Sequence, residues 1–318
     1  MRLFHGTDNA EIARPTVLTL GVFDGLHLGH QFIMGTVVER ARTCGAVPTV
    51  ITFDPHPRAV LHPDSAPPML QTFDQKIEAF GALGIEQTIV IRFTSEFAQI
   101  EADVFLRDIV RDRLRAVEVY LGRGFAFGRN REGNIELLRK ASGQLGFRAD
   151  EVAEVKLRGH RISSSRIRGA LADGRVNLAR RMLGRPYGVE GRVVRGEKRG
   201  RTLGFPTANL RPENRVIPKA GVYVTATLIE GAWRRSITNI GTRPTFESGS
   251  NQSSVETYVM DWEGNLYGDV VRVRFLHRLR DERKFASIEE LKHQISRDRD
   301  RASAYFERGG VRRWLAVG

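Results

Sequence analysis

Val17-Leu-Thr-Leu-Gly21-Val-Phe23-Asp24-Gly25-Leu-His27-Leu-Gly29-His30 is the stretch whose reading decides the fold. Its opening, Val17 to Phe23, is a continuous apolar run, the pattern of a strand buried on both faces of a parallel sheet. Gly21, Gly25 and Gly29 mark a turn, and a helical pattern opens at about His30. A strand, a glycine-rich loop and a helix N-terminus in succession bring backbone N–H groups and a helix dipole up to an anion, so the expected ligand is a phosphate. His27 and His30 stand at the mouth of the turn, where imidazoles donate to phosphate oxygens that gain charge in an in-line displacement. The competing reading is an ordinary glycine turn with surface or metal-binding histidines. The density of specified positions from Gly21 to His30 favours the phosphate site.

Working outward, β-branched apolar runs recur at Val47–Phe53, Thr88–Phe93 and Val117–Leu121. Helical patterns lie between and after them at Gln31–Cys44, Phe73–Leu83, Ala102–Leu114 and Asn134–Leu145. Such alternation predicts a Rossmann-like, doubly wound parallel sheet, whose ligands bind beyond the carboxyl ends of the strands. The loop at Gly21–His30 and the segment Thr52-Phe-Asp-Pro-His-Pro57 both follow such ends, so they are expected to face one site. Helical stretches at Arg166–Ala172 and Val176–Leu183 precede a change of texture at Gly184-Arg-Pro-Tyr-Gly188. Thereafter Tyr187–Arg195, Val222–Ile229, Arg234–Asn239, Val255–Asp261 and Val270–Phe275 are short β-like runs without helices between them. That pattern predicts an α/β domain, residues 1–185, followed by a small antiparallel β-barrel, residues 186–318. A closing helix spans Ser287 to Phe306, with Ser287 as N-cap and Glu290 three residues on.

The 318 residues are 41% hydrophobic and 27% charged, the balance of an ordinary globular protein. The net charge of +13 is spread over both halves, which suits anionic substrates and weighs against nucleic acid as the main partner. A single cysteine, Cys44, builds neither a disulfide framework nor a zinc cluster; it reads as a small buried hydrophobe in a chain suited to the reducing cytoplasm. No signal architecture is evident, and no apolar run approaches the roughly 20 residues of a membrane span. The oligomeric state is left open.

Ile162-Ser-Ser164-Ser165-Arg-Ile-Arg168 places hydroxyls and guanidiniums just before a helix, where they suit a second grip on phosphate. Alone, the segment is more often an N-capping serine and a solvated arginine. Gly196-Glu-Lys198-Arg-Gly200-Arg201-Thr-Leu-Gly204-Phe-Pro-Thr207-Ala-Asn209 is a basic, glycine-rich loop suited to embracing an anion. Thr207 and Asn209 supply hard oxygens of the kind that hold Mg²⁺ while phosphate and water complete the octahedron. The alternative is a basic hairpin ending in a Pro-Thr turn. Asn239-Ile-Gly-Thr-Arg243-Pro-Thr-Phe246 reads as a loop, and Glu256 interrupts an apolar strand start, as a site carboxylate or as one arm of a rim ion pair.

From about Leu18 to Asp298, the motifs GxFDGxHxGH, TFxPHP, FxFG and ISSSxIR, with the barrel stretches, resemble the bacterial bifunctional riboflavin kinase/FAD synthetase family. The resemblance implies that the first domain transfers AMP from ATP to FMN and releases pyrophosphate. Gly21, Phe23, Asp24, Gly25, His27, Gly29, His30, Ser164, Ser165 and Arg168 would then serve ATP. Phe53, Pro55, His56, Phe125 and Phe127 would serve the flavin. It further implies that the barrel phosphorylates riboflavin with Mg-ATP, with Glu256 as base. Gly196, Lys198, Arg201, Gly204 and Thr207 would bind ATP, Thr207 and Asn209 the metal, and Arg243 the flavin. Two departures stand out: Gly124, where the family commonly carries Asp or Asn, and Ser165, often threonine in relatives. Gly124 removes a polar side chain beside the implied flavin or ribose pocket, which keeps open a kinase with weak or lost adenylyl transfer. A flavin- or RNA-binding regulator on the same scaffold is the reading from another class.

Overall fold

The computed structural model describes residues 1–7, 12–196, 204–244 and 251–308. The chain divides into two compact units, Met1–Ser163 and Ser164–Gly318.

The first unit is built on a six-stranded parallel sheet of β1 (Arg2–His5), β2 (Thr16–Leu20), β3 (Val47–Asp54), β4 (Gln87–Arg92), β5 (Ala116–Gly122) and β6 (Arg148–Val152), in the order β1-β4-β3-β2-β5-β6. Alternate residues of the central strands point to opposite faces, and both faces are buried. Val17 and Val50 pack with Met34 and Val37 of α1 (Leu28–Cys44) and Phe80 of α3 (Phe73–Ala82), which follows the short α2 (Pro57–Leu61). Leu18, Leu20 and Ile51 pack on the other side with Phe105, Leu106, Ile109 and Leu138. Leu138 belongs to α5 (Ile135–Leu145), and the first three to the segment that follows α4 (Ala102–Val104). That segment, Phe105–Arg113, winds as a π-helix rather than the expected α-helix. Its buried residues recur at Phe105–Leu106, Ile109–Val110 and Leu114, a spacing that the wider turn keeps on one face. β1, β6 and a small hairpin of β7 (Lys156–Leu157) and β8 (His160–Arg161) are further strands that lack the long apolar run by which the others were read.

The second unit begins with α6 (Ser164–Ala172) and α7 (Val176–Leu183), so by packing these helices group with the barrel, ahead of the change of texture near residue 185. The barrel is closed and antiparallel. Its strands are β9 (Tyr187–Val194), β10 (Thr207–Pro212), β11 (Gly221–Ile229), β12 (Ala232–Pro244), β13 (Asn251–Val259) and β14 (Val270–Arg280), in the order β10-β13-β12-β11-β14-β9. Closure removes the exposed edges that six short strands would otherwise present.

The two faces of the barrel wall are chemically distinct. Thr225, Thr227, Ser236, Thr238 and Thr257 lie inside, with hydroxyls linked at 2.8–2.9 Å into a chain that satisfies their buried polar atoms. Val222, Val224, Ala226 and Ile237 face outward and are covered by Ala302 and Phe306 of α8 (Ile288–Glu307). Ser287 caps α8 by accepting from the Glu290 N–H at 3.1 Å. Arg280 and the buried Asp298 pair at 2.8 Å and fasten the helix to β14.

Two expectations and one alternative need correction. Cys44 is exposed at the last turn of α1, not buried, because the apolar stripe of that helix runs through Ile33, Met34, Val37 and Ala41. Thr207 opens a strand rather than closing a turn, and the segment from Asn239 continues β12 to Pro244 instead of forming a loop, because β13 pairs with it residue by residue. Among the described residues, no helix is long and apolar enough to cross a membrane.

Candidate functional site

The first unit offers a site at the carboxyl edge of its sheet. β2 is flanked by β3 and β5, and the chain returns to β5 only after crossing to β4, so the strand order reverses at β2. Such a reversal opens a crevice above the strand ends. The loops that follow β2, β3 and β5 carry Gly21–His27, Pro55–His56 and Arg123–Gly128.

Leaving β2, the chain does not continue as strand to Phe23. Phe23 adopts a left-handed φ of 53° and folds its ring back over Gly21, where a Cβ would come within 3.0 Å of it. Gly25, at φ 80°, is the one glycine of this loop that its backbone conformation demands. Gly29 has a different job: it clears space for His27, whose Cε1 would lie 3.1 Å from an added Cβ. The helix starts at Leu28, earlier than expected, because His27 itself is the N-cap and its Nδ1 accepts from the His30 N–H at 3.3 Å.

The two imidazoles stack with centroids 3.6 Å apart and planes 18° from parallel. Phe23 meets His30 edge-on at 5.2 Å. Burial holds the His30 pKa well below its ordinary value, and the charges of His27 and Arg161 push the same way. His30 is therefore neutral at physiological pH. Its Nδ1 is buried and has no hydrogen-bond partner among the described residues. Arg161 had no assigned role in the sequence reading; it donates to the Arg123 carbonyl at 3.3 Å and pairs with Glu154 at 3.2 Å. Asp24 is buried, and its Oδ1 accepts from the Leu70 N–H at 2.8 Å, so one carboxylate oxygen fastens the glycine loop to the segment before α3.

Phe53 and Phe127, each 8% exposed, are the ends of an aromatic series. Phe53 meets Phe93 at 5.7 Å, Phe93 meets Phe97 at 5.7 Å, Phe97 meets Phe105 at 6.3 Å and Phe105 meets Phe127 at 5.8 Å. Phe93 and Phe97 escaped the sequence reading because they stand in no motif. Phe125 packs against the same core, half-buried. His56 caps α2 by accepting from the Arg58 N–H at 2.9 Å, beside the exposed Pro55. Gly124 adopts a φ of 72° with open space where a side chain would stand.

Ser164, Ser165 and Arg168 lie on the first turns of α6 in the second unit, Ser165 exposed and the other two half-buried. Ile167 between them is fully buried and fixes the face of the helix that stays open.

The second candidate site lies on the outer face of the barrel. In the strand ladders Asn209 of β10 is opposite Glu256 of β13, and Glu256 is opposite Asn239 of β12. Asn239 is two residues beyond Ile237, which faces outward, so the whole row faces outward by strand alternation. All three side chains are half-buried. Thr207 is two residues before Asn209 and shares its face. Asn239 was missed because it stands in no motif, at the junction of the β-like run Arg234–Asn239 and a segment that reads as a loop.

Gly196 abuts Asn209 directly: an added Cβ would lie 2.3 Å from Asn209 Nδ2. Gly204 has a φ of 84° in the turn before Phe205, whose ring meets Tyr258 at 5.5 Å. Lys198 and Arg201 lie outside the described residues, as does the side chain of Arg243, whose backbone is in β12. The hydroxyl of Thr207 and the amide oxygen of Asn209, adjacent on one face beside the Glu256 carboxylate, are hard neutral oxygen donors. They fit Mg²⁺ better than a softer metal.

Comparison with known proteins bears on both sites. Residues 9–166 match the FAD synthetase family and residues 183–306 the riboflavin kinase family. The chain is 38% identical to the bifunctional riboflavin kinase/FMN adenylyltransferase of Haemophilus influenzae over 96% of its own length and 99% of that protein's. It is 37% identical to the protein of the same name from Escherichia coli K12, covering 96% and 98%. The Bacillus subtilis counterpart is also 37% identical, at 92% coverage of both chains. A crystal structure from Streptococcus pneumoniae, described as a macrolide-efflux protein, superposes with a TM-score of 0.88 at 29% identity, over 95% of this chain and 99% of that one.

Proposed function

The chain belongs to the bifunctional riboflavin kinase/FMN adenylyltransferase family, and on that premise we propose how its residues divide the work. The enzyme phosphorylates riboflavin to FMN and adenylylates FMN to FAD, using ATP for each step. Relatives that carry both activities in their names over nearly the full length favour this reading over a kinase alone.

The observation that carries the assignment is the outward row Asn209–Glu256–Asn239. A carboxylate flanked by two amides on an open barrel face is oriented to accept a proton from an incoming hydroxyl. Glu256 takes the proton of the terminal ribityl hydroxyl as that oxygen attacks the γ-phosphorus of ATP. The new O–P bond forms as the bond from γ-phosphorus to the bridging oxygen breaks, and ADP leaves. Thr207 and Asn209 would hold Mg²⁺, which supplies neutralisation of phosphate charge. Gly196, Lys198, Arg201 and Gly204 belong to the glycine-rich segment of sequence that would serve the phosphates, and Arg243 would approach the flavin.

At the first site the nucleophile is the phosphate of FMN, already ionised, so positioning and charge stabilisation carry the reaction. An FMN oxygen attacks the α-phosphorus of ATP and pyrophosphate departs. Neutral His30 donates its ring N–H to a phosphate oxygen, and His27 stacked against it fixes its plane. Gly21, Phe23, Asp24, Gly25 and Gly29 shape that loop. Ser164, Ser165 and Arg168 are assigned to the β- and γ-phosphates, and Phe53, Pro55, His56, Phe125 and Phe127 to the flavin side. The chain's single cysteine accords with a reducing cytoplasm, where we place the enzyme.

A time course with riboflavin, ATP and Mg²⁺, with the flavins separated by chromatography, tests the assignment. FMN should rise first and FAD follow. FMN accumulation without FAD, even when FMN is supplied directly, would reduce the chain to a kinase.

A further inference from the structure

Lys76 is a buried ammonium that neither reaction yet uses. It is 4% exposed, on the inward face of α3. Its Nζ donates to Thr52 Oγ1 at 3.3 Å, and the Thr52 hydroxyl donates in turn to the Val22 carbonyl at 3.4 Å. The carboxylates of Asp54 and Asp24 both act on it electrostatically. The Phe73 ring lies 5.7 Å from Nζ. Thr52 links two segments to this group: its hydroxyl accepts from Lys76 of α3 and donates to the Val22 carbonyl of the glycine loop, while Asp54 and Asp24 act on the ammonium through their field. Taking an ammonium out of water is costly and persists where the charge is paired and hydrogen-bonded.

We propose that Lys76 is a positioning residue for adenylyl transfer, tying the loop that carries His27 and His30 to the loop that carries Pro55 and His56. The inference rests on the assignment of these loops to ATP and FMN. In-line displacement tolerates little misplacement of the two substrates, so loosening the tie lowers the rate of the chemical step more than the binding of either substrate.

Burial lowers the Lys76 pKa from that of an ordinary lysine, while Asp54 and Asp24 pull it back up. As pH rises the ammonium loses its proton, the tie weakens and FAD synthesis falls. Arginine keeps its charge through this range.

The test uses the full chain, with FMN and ATP as substrates for FAD synthesis and riboflavin phosphorylation as the control. Lys76→Met should lower kcat for FAD synthesis about tenfold or more. The ATP KM should stay within about threefold and phosphorylation within about twofold. Lys76→Arg should retain FAD synthesis and shift the alkaline limb of its pH profile upward. Unchanged FAD synthesis in Lys76→Met, or an unmoved alkaline limb in an active Lys76→Arg, would overturn the proposal. His30→Ala is run in parallel. If it loses FAD synthesis while Lys76→Met does not, only the inference about Lys76 fails. If His30→Ala is itself fully active, the assignment of the loop fails and the inference with it.

Discussion

Gly196 and Asn209 touch: a Cβ on Gly196 would lie 2.3 Å from Asn209 Nδ2 and 2.7 Å from its Oδ1. The chain leaving β9 thus runs against the amide assigned to the metal, and the missing side chain lets that amide keep its place. In Gly196→Ala the group that must move is the end of a flexible side chain, so the barrel should stay folded, with a stability loss within about 1 kcal/mol. Riboflavin phosphorylation should fall about tenfold, with half-saturation by Mg²⁺ moving to higher concentration. FAD synthesis from supplied FMN should not change. A magnesium titration of initial rates checks this, and wild-type behaviour would remove Asn209 from the metal site.

Glu256→Gln keeps the shape of the side chain and its place between Asn209 and Asn239. It removes the ability to take up a proton. General-base contributions are typically about 10²–10⁴-fold, so FMN formation should drop by that order. Conversion of FMN to FAD should continue at the wild-type rate, because the glycine loop and its histidines belong to the other compact unit. Equal loss of both reactions would sink the two-site assignment.

What the sequence disclosed follows from which physical signals are local. The parallel strands were legible because β2, β3 and β4 are nearly continuous apolar runs, and Ser287 with Glu290 is a residue pair that announces a helix start. The start of α1 was not legible, because a histidine N-cap is outside the usual set of Ser, Thr, Asp and Asn. Phe23 at positive φ was equally hidden, since nothing in a phenylalanine advertises a left-handed turn. The aromatic series from Phe53 to Phe127 and the buried Lys76 depend on packing between distant segments, and on sequence alone a lysine in a short amphipathic helix reads as solvated. Asn239 was lost for a different reason: Gly241 and Pro244 look like loop residues, yet β13 pairs alongside and holds them extended.

The low pKa of His30 has a stability consequence whose sign is fixed. The folded chain holds this imidazole neutral, while the unfolded chain protonates it at the ordinary value near 6.5. Below that pH the unfolded state binds the extra proton, so the contribution of His30 to stability, fully present above about pH 6.5, diminishes as pH falls toward the folded-state pKa. One proton accounts for at most about 1.4 kcal/mol per pH unit. Thermal melts between pH 8 and pH 5 should therefore show a steeper acid-side decline in the wild type than in His30→Gln, which has no charge to acquire. Parallel declines in the two proteins would contradict the buried, neutral imidazole.

Gly124 occupies a backbone conformation, φ 72°, that asparagine tolerates better than most residues, and the space beside it is open. Gly124→Asn should accordingly fold, with a stability change within about 1 kcal/mol. It returns a polar side chain to the turn that leads into Phe125 and Phe127. If adenylyl transfer runs on the histidine pair and the phosphate-facing residues, FAD synthesis in this variant should remain within about threefold of wild type. The change should fall on KM for FMN, because the turn leads into Phe125 and Phe127, which are assigned to the flavin side and not to the reacting phosphorus. Steady-state rates against FMN concentration decide the matter. A rise of many-fold in kcat would mean that glycine at this position restrains the chemistry of the first site in the native enzyme.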